Sequence, residues 1–283
     1  MAKQYYCLVA GLKEYAIDGE NKGLEISEIK EEIAEQLSKS DARAVELLYS
    51  FYDIENIINI IKGKTTFNSL GNFSQEQLTE EVSKPELLPS FISDIVISYA
   101  NKDSDGVNDD LDIDLNDTIE RNLWTAYYKE CAKSKCSFLR KWGEFDLNLR
   151  NICAAYTARK SGLSAADIVV GNNDITQAIA KSSSADFGLK NEITDLEKLI
   201  ATLDDSNILE KEHRLDMMRW SEAEEISTFD YFNINTVMAY LVKVNLIWRW
   251  KQLDRERGQQ MFNKLLGELS GKDIVEAASK RED

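Results

Sequence analysis

The chain contains only two prolines and 13 glycines among its 283 residues. Proline removes a backbone hydrogen-bond donor, and glycine loses more conformational entropy than other residues when it is ordered, so both residues tend to interrupt helices. Because both are scarce, long stretches of the sequence can form continuous helices. The composition therefore predicts a mostly α-helical protein, and its length allows one large domain or two to three small ones.

The sequence also lacks any apolar run close to the ~20 residues that a bilayer-spanning helix requires. Its first residues, MAKQYYCLVAGL, are interrupted too soon by charge to predict a signal peptide. The four cysteines are not spaced like a disulfide framework or a common zinc-binding motif. We therefore expect a cytoplasmic protein with reduced thiols and no direct membrane insertion.

Basic residues are few relative to acidic ones, with 34 Lys and Arg against 50 Asp and Glu, and the formal net charge is −16. This charge repels phosphate backbones, so the composition predicts no nucleic-acid binding. The single histidine, His213, lies in a charged helical pattern, and no pair of carboxylates or lysines stands out as an acid and base. We expect no catalytic residues, no cofactor and no metal.

Two segments match ligand-binding motifs in part. In IIKGKTTF, Gly63, Lys64 and Thr65 resemble the end of a phosphate-binding loop, but the upstream glycine is missing and a predicted helix precedes it, so we expect no nucleotide site. In NKDSDGVNDDLD, six residues occupy positions 1, 3, 5, 6, 9 and 12 of a calcium loop: Asn101, Asp103, Asp105, Gly106, Asp109 and Asp112. Because position 1 is Asn and the usually apolar position 8 is polar, we interpret this segment as a solvated acidic loop, with calcium binding as the alternative.

A capped amphipathic helix recurs three times in the sequence. Asn233 is predicted to cap a helix whose apolar residues stand at i, i+3, i+4 and i+7, and Asp53 and Asn148 are predicted to cap two similar helices. The caps are 95 and 85 residues apart, close to one third of the chain. This spacing favours three helical lobes of about 90 residues at 1–100, 119–190 and 191–283, with the acidic loop at 101–118, although any helical protein contains several capped helices.

The segment IWRWK mixes aromatic and basic residues. On a helix, Trp248 and Trp250 lie about 200° apart, so they cannot line one stacking platform for bases. We expect one of them in the core and the other half-exposed or at a contact with a partner protein, because tryptophan often anchors such contacts.

The predicted helix starts DIENIINII, NLRNICAAYTARKSGL and FNINTVMAYLVK resemble those of one central-stalk component of V-type and archaeal-type rotary ATPases, the C/d subunits. Nearly the whole chain is also similar to a bacterial family found with V-type ATPase components, through YYCLVAGL, FNSLGNFSQEQL and RLDMMRW. The third unit has Thr236 where the first two have Asn56 and Asn151.

The resemblance implies an all-α, three-lobed, funnel-shaped protein that connects the rotating shaft of the ATPase to its membrane rotor ring. It implies a protein without nucleotide or activity of its own, held at the inner membrane through the complex, with the shaft subunits and the ring as partners. A free-standing helical scaffold or regulatory protein of related fold is the alternative. An enzyme that uses carboxylates in a cleft between lobes is a third, less favoured one.

Overall fold

The computed structural model describes residues 3–102 and 113–253. Within these ranges all regular structure is helical, with eleven α-helices, one 3-10 helix (Ala165–Asp167) and no strand, so the predicted all-α class is confirmed. In chain order the α-helices are α1 (Tyr6–Gly11), α2 (Ile26–Gln36), α3 (Lys39–Ile61), α4 (Gln75–Ser83), α5 (Ser90–Ala100), α6 (Ile119–Lys133), α7 (Ser137–Lys160), α8 (Asp174–Lys181), α9 (Leu196–Leu203), α10 (Ile208–Ser227) and α11 (Ile234–Gln252). None of the helices in the described part of the chain has the length and apolar character needed to cross a membrane.

Two of the three predicted helix caps are wrong. Asp53 and Asn148 lie in the interior of α3 and α7, which begin well before them. The α3 cap is Ser38, whose hydroxyl accepts a hydrogen bond from the Asp41 amide at 3.2 Å. A buried polar residue in an apolar stripe resembles a helix start in sequence, but here its hydrogen-bond partner is a distant loop. Asn233 does lie at the N-cap of α11 and accepts a bond from the Asn235 amide at 2.9 Å.

Buried apolar residues in the described ranges form two clusters. The larger cluster joins side chains of α1 to α6, the first half of α7, one residue of α10 and much of α11. The smaller one joins the second half of α7 to α8, α9 and the start of α10. The division into three lobes stays a prediction. Of the calcium-type positions in the acidic loop, all but Asn101 lie outside the described residues.

The helices pack in a regular order. Helix α6 packs against α3, α10 against α7, and α2 against α11, so the last described helix returns to the first part of the chain. Two polar contacts accompany this return. The Tyr49 hydroxyl of α3 donates to Asn245 Oδ1 of α11 at 3.1 Å, and Lys251 Nζ donates to the Leu24 carbonyl at 3.0 Å. The beginning and the end of the described chain therefore depend on each other for burial.

Helices α6 and α7 approach each other closely at Gly143. A Cβ atom built at Gly143 would lie 2.7 Å from the Cβ of Cys131, which is fully buried on α6. A β-carbon is fixed by its own backbone, so neither helix could avoid this overlap by rotating a side chain. The missing side chain at position 143 therefore sets the distance between the two helices.

We expect Gly143→Ala to destabilise the protein. Alanine favours a helix over glycine by ~1 kcal/mol, but overpacking a dense core costs ~1–3 kcal/mol, so the net effect should be a lower urea midpoint. Gly11→Ala is the control, because a Cβ there meets no atom within 4 Å. Equal midpoints for the two variants would contradict the close approach of α6 and α7.

Candidate functional site

A cluster of charged side chains joins α7, α10 and α11, and we call it the ion cluster. It consists of Asp146 from α7, Asp216 and Arg219 from α10, and Arg249 from α11. Arg219 Nη1 donates to Asp216 Oδ1 at 2.8 Å, and its Nε lies 3.7 Å from Asp146 Oδ1. Arg249 Nη1 donates to both oxygens of Asp216, at 2.9 and 2.8 Å. One fully buried carboxylate thus receives an arginine from its own helix and another from a neighbouring helix.

Neighbouring groups satisfy the remaining acceptors of the ion cluster. The Tyr128 hydroxyl donates to Asp146 Oδ2 at 2.7 Å, and Trp250 Nε1 donates to Asp216 Oδ2 at 2.9 Å. Burial alone would lower the pKa of Arg219, but the two aspartates outweigh it and raise that pKa above its ordinary value. Arg219 therefore stays charged, and the cluster fixes how the three helices meet, since a buried charge is tolerated only with well-placed partners.

Both tryptophans predicted as interface residues are half-buried. Trp248 packs against the larger apolar cluster. Trp250 donates to the ion cluster and meets the ring of His213 edge-on, with ring centroids 5.3 Å apart. His213 in turn lies 2.9 Å from Asp18 through its Nε2. Both tryptophans thus have contacts within the chain, and a role for either at a partner interface stays a prediction.

Two buried asparagines anchor loops in the same way. Asn56 of α3 donates through Nδ2 to the Asn68 carbonyl at 2.8 Å and accepts at Oδ1 from the Asn68 amide at 2.7 Å. Asn151 of α7 makes the same pair of bonds with the backbone of Val170, each at 2.8 Å. Both asparagines are fully buried, so the loop that follows each helix is fixed by one side chain.

A third buried asparagine, Asn245, lies on α11, where its Oδ1 accepts the hydrogen bond from the Tyr49 hydroxyl. All three are followed by two apolar residues, in NII, NIC and NLI. Asn151 follows Asn56 by 95 residues (151 − 56), and Asn245 follows Asn151 by 94 (245 − 151). Thr236, the position assigned from sequence, lies instead in the first turn of α11, where its hydroxyl donates to the Asp230 carbonyl at 2.9 Å. We call α3, α7 and α11 the asparagine helices.

Asp53 and Asn148, the two wrongly predicted caps, also bind loops. Asp53 accepts from the Asn72 amide at 2.8 Å and from Asn72 Nδ2 at 2.7 Å. Asn148 Oδ1 accepts from Asn173 Nδ2 at 2.9 Å. Each residue stands three positions before a buried asparagine, so each of these two helices presents two polar side chains to its loop.

Burial shifts the pKa values of two groups beside this loop of α3. The pKa of Asp53 is raised to about 6, mainly by burial, although the bonds from Asn72 oppose the shift. Burial lowers the pKa of Lys30 to about 8. Lys30 Nζ donates to the Leu70 carbonyl at 2.9 Å and lies 3.8 Å from the centre of the Tyr49 ring. Lys30 thereby connects α2 to the loop that Asp53 and Asn56 hold.

Other sequence candidates do not come together as a site in the described part of the chain. No group of three or more His, Cys, Asp or Glu residues there could hold a metal ion. Cys131 and Cys136 are buried, and burial raises the pKa of the Cys131 thiol to about 12. The segment resembling a phosphate loop follows α3, as expected, with Gly63 in a left-handed turn at φ +66°.

The chain belongs to the DUF2764 family, whose model matches residues 1–272 and whose description is "protein of unknown function". No curated protein and no solved structure matches the chain. Membership of this family therefore assigns no activity to the chain.

Asp216→Ala should lower the free energy of unfolding by about 2–4 kcal/mol, because Arg219 and Arg249 lose the buried carboxylate that they share. Arg219 keeps Asp146 as a partner, and Arg249 keeps Glu212 of α10. Urea unfolding measures the change. Adding Arg249→Met should recover part of the loss, since it removes one of the two arginines that lost this partner. Glu197→Ala, which breaks an exposed pair with Lys190, is the control and should leave the midpoint nearly unchanged. A small effect of Asp216→Ala would contradict the conclusion that the ion cluster stabilises the packing of α7, α10 and α11.

Asp53→Asn should change how stability depends on pH. The folded wild type holds a proton on Asp53 up to about pH 6, whereas the unfolded chain releases it near pH 4, so wild-type stability falls as pH rises through this range. The variant lacks this proton, so its stability relative to wild type should rise by about 1–3 kcal/mol between pH 4 and 6.5. Urea unfolding at closely spaced pH values measures the difference, and a constant difference would contradict the buried carboxyl.

Proposed function

We propose that the protein is a non-catalytic central-stalk subunit of a V-type rotary ATPase, which couples the rotating shaft to the membrane rotor ring during ion transport. The observation that carries the proposal is the buried asparagine that recurs after 95 and 94 residues on α3, α7 and α11. This recurrence supports the three-part plan that the resemblance to the C/d subunits implies. The recurrence of the asparagines does not depend on the two helix caps that were wrongly predicted.

The packing order of the helices supports the same plan. The helix that precedes each asparagine helix packs against a different asparagine helix: α6 against α3, α10 against α7, and α2 against α11. These three contacts link the second part to the first, the third part to the second, and the first part to the third. A closed arrangement of three repeated parts requires such a cycle. A linear array of repeats would leave the first and last parts apart.

The interior of the protein suits a part that transmits torque. Such a part must resist sliding of its helices when its two ends are loaded differently. The ion cluster joins α7, α10 and α11 through charged groups that are costly to separate once buried, and the asparagines fix two loops to their helices. In this proposal the protein is cytoplasmic, reaches the inner membrane only through the ATPase, and binds no nucleotide, nucleic acid or cofactor.

The test is purification of the tagged full-length protein from gently solubilised membranes of its own cells, followed by mass spectrometry. We expect shaft and ring subunits in stoichiometric amounts, and neither with an unrelated acidic helical protein that carries the same tag. A partnerless monomer would contradict the proposal and favour the free-standing scaffold or regulatory protein.

A second measurement tests coupling itself. In membranes from cells that lack the protein, ATP hydrolysis by the catalytic head should continue, whereas ion transport per ATP hydrolysed should be largely lost. Normal transport without the protein would exclude a coupling role even if the protein copurifies with the complex.

A further inference from the structure

The turn between α10 and α11 carries an exposed group of aromatic side chains, which we call the aromatic turn: Phe229, Tyr231, Phe232 and the adjacent Tyr6. Phe229 is 90% exposed, Tyr231 69%, Tyr6 59% and Phe232 36%. The rings of Tyr6 and Phe232 lie against each other with centroids 4.8 Å apart. Exposed aromatic side chains grouped in this way are typical of protein–protein contact sites.

The backbone of the aromatic turn is held in place from behind. Asp230 accepts hydrogen bonds from the side chains of Asn233 and Asn235, and the Phe232 carbonyl accepts one from the Tyr5 amide. Asn235 also binds the start of α7, where Oδ1 accepts from the Phe138 amide at 3.1 Å. The aromatic rings are therefore presented on a fixed support, and a partner that binds them has little loop-ordering entropy to overcome.

Charge around the aromatic turn defines the partner. Residues 221–232 contain four carboxylates, Glu222, Glu224, Glu225 and Asp230, and no lysine or arginine. Glu224 pairs with Lys243 of α11 at 2.9 Å, whereas the other three have no ion pair among the described residues. A complementary surface has an apolar pocket for the rings and Lys or Arg on its rim. The same carboxylates, on a chain with a net charge of −16, oppose contact with an anionic lipid surface.

The size of the aromatic turn argues against a dimer held by this surface alone. With about 150–250 Å² for each aromatic side chain, the four residues at their observed exposures offer roughly 500 Å². Stable interfaces bury about 800 Å² on each partner. The turn is therefore suited to be an anchor within a larger contact with a different protein.

We propose that the aromatic turn is the anchor by which the protein binds the soluble shaft of the ATPase, in an apolar pocket rimmed by basic residues. This inference rests on the proposed function. Of the two partners in that function, the shaft is favoured because the ring lies in the bilayer, whose anionic surface the neighbouring carboxylates disfavour.

The test compares Phe229→Ser/Tyr231→Ser with wild type for binding to purified shaft subunits from the same cells. Neither side chain has a hydrogen bond within the described residues, so circular dichroism and the urea midpoint should be unchanged. The control is Leu87→Ser/Leu163→Ser, which removes two apolar side chains that are 63% and 59% exposed elsewhere. We expect the aromatic variant to bind at least about tenfold more weakly and the control to bind as wild type.

Equal binding by the aromatic variant and wild type would overturn the anchor while leaving the proposed function in place. Failure of the wild type itself to bind the shaft would overturn both. Two further measurements test whether a second copy of the chain or a lipid membrane binds the aromatic turn instead. Self-association in analytical ultracentrifugation, or binding to vesicles containing phosphatidylserine, would overturn the shaft assignment if wild type shows it and the aromatic variant does not.

Discussion

The carboxylate of Asp216 is fully buried, and moving such a group out of water costs several kcal/mol unless charged partners surround it. Its partners come from two helices. Arg219 is on the same helix, whereas Arg249 and Trp250 are on α11, and Arg219 also reaches Asp146 on α7. Asp216 therefore needs α10 and α11 together, and Arg219 connects this pair of helices to α7 through Asp146. The apolar contacts of α7, α10 and α11 are therefore formed together, in the one arrangement that pairs these charges.

The helical class followed from composition, because few residues in the sequence can stop a helix. Helix starts were less predictable. Asn233 follows a turn and caps α11, while Asp53 and Asn148 are polar residues within long helices, and all three precede similar apolar stripes. What separates them is the partner of each side chain. A capping side chain binds the first turn of its own helix, whereas Asp53 binds a loop 19 residues away. The residues next to Asp53 in the sequence do not reveal that this distant loop is its partner.

The third buried asparagine was missed in sequence for a related reason. Counting from supposed caps pointed to Thr236, but the residue that recurs is a buried asparagine in the helix interior, Asn245. The string of an asparagine followed by two apolar residues was visible in the sequence. This string is informative only if its asparagine is buried, and hydrophobic periodicity alone does not predict whether a polar residue is buried. The ion cluster was likewise hidden, since its members come from helices spread over more than 100 residues of the chain.

The contact between Tyr49 and Asn245 spans 196 residues. During synthesis at about 5–20 residues per second, the apolar face of α3 leaves the ribosome some 10–40 seconds before α11 exists to cover it. Over that interval the nascent chain exposes surface that is buried in the finished protein. Helices in the first half of the chain can form before α11 is synthesised, but the core around α3 cannot be completed before then. Part of the first half of the chain therefore stays exposed to water until α11 has been made, although α4 and α6 can pack against α3 earlier.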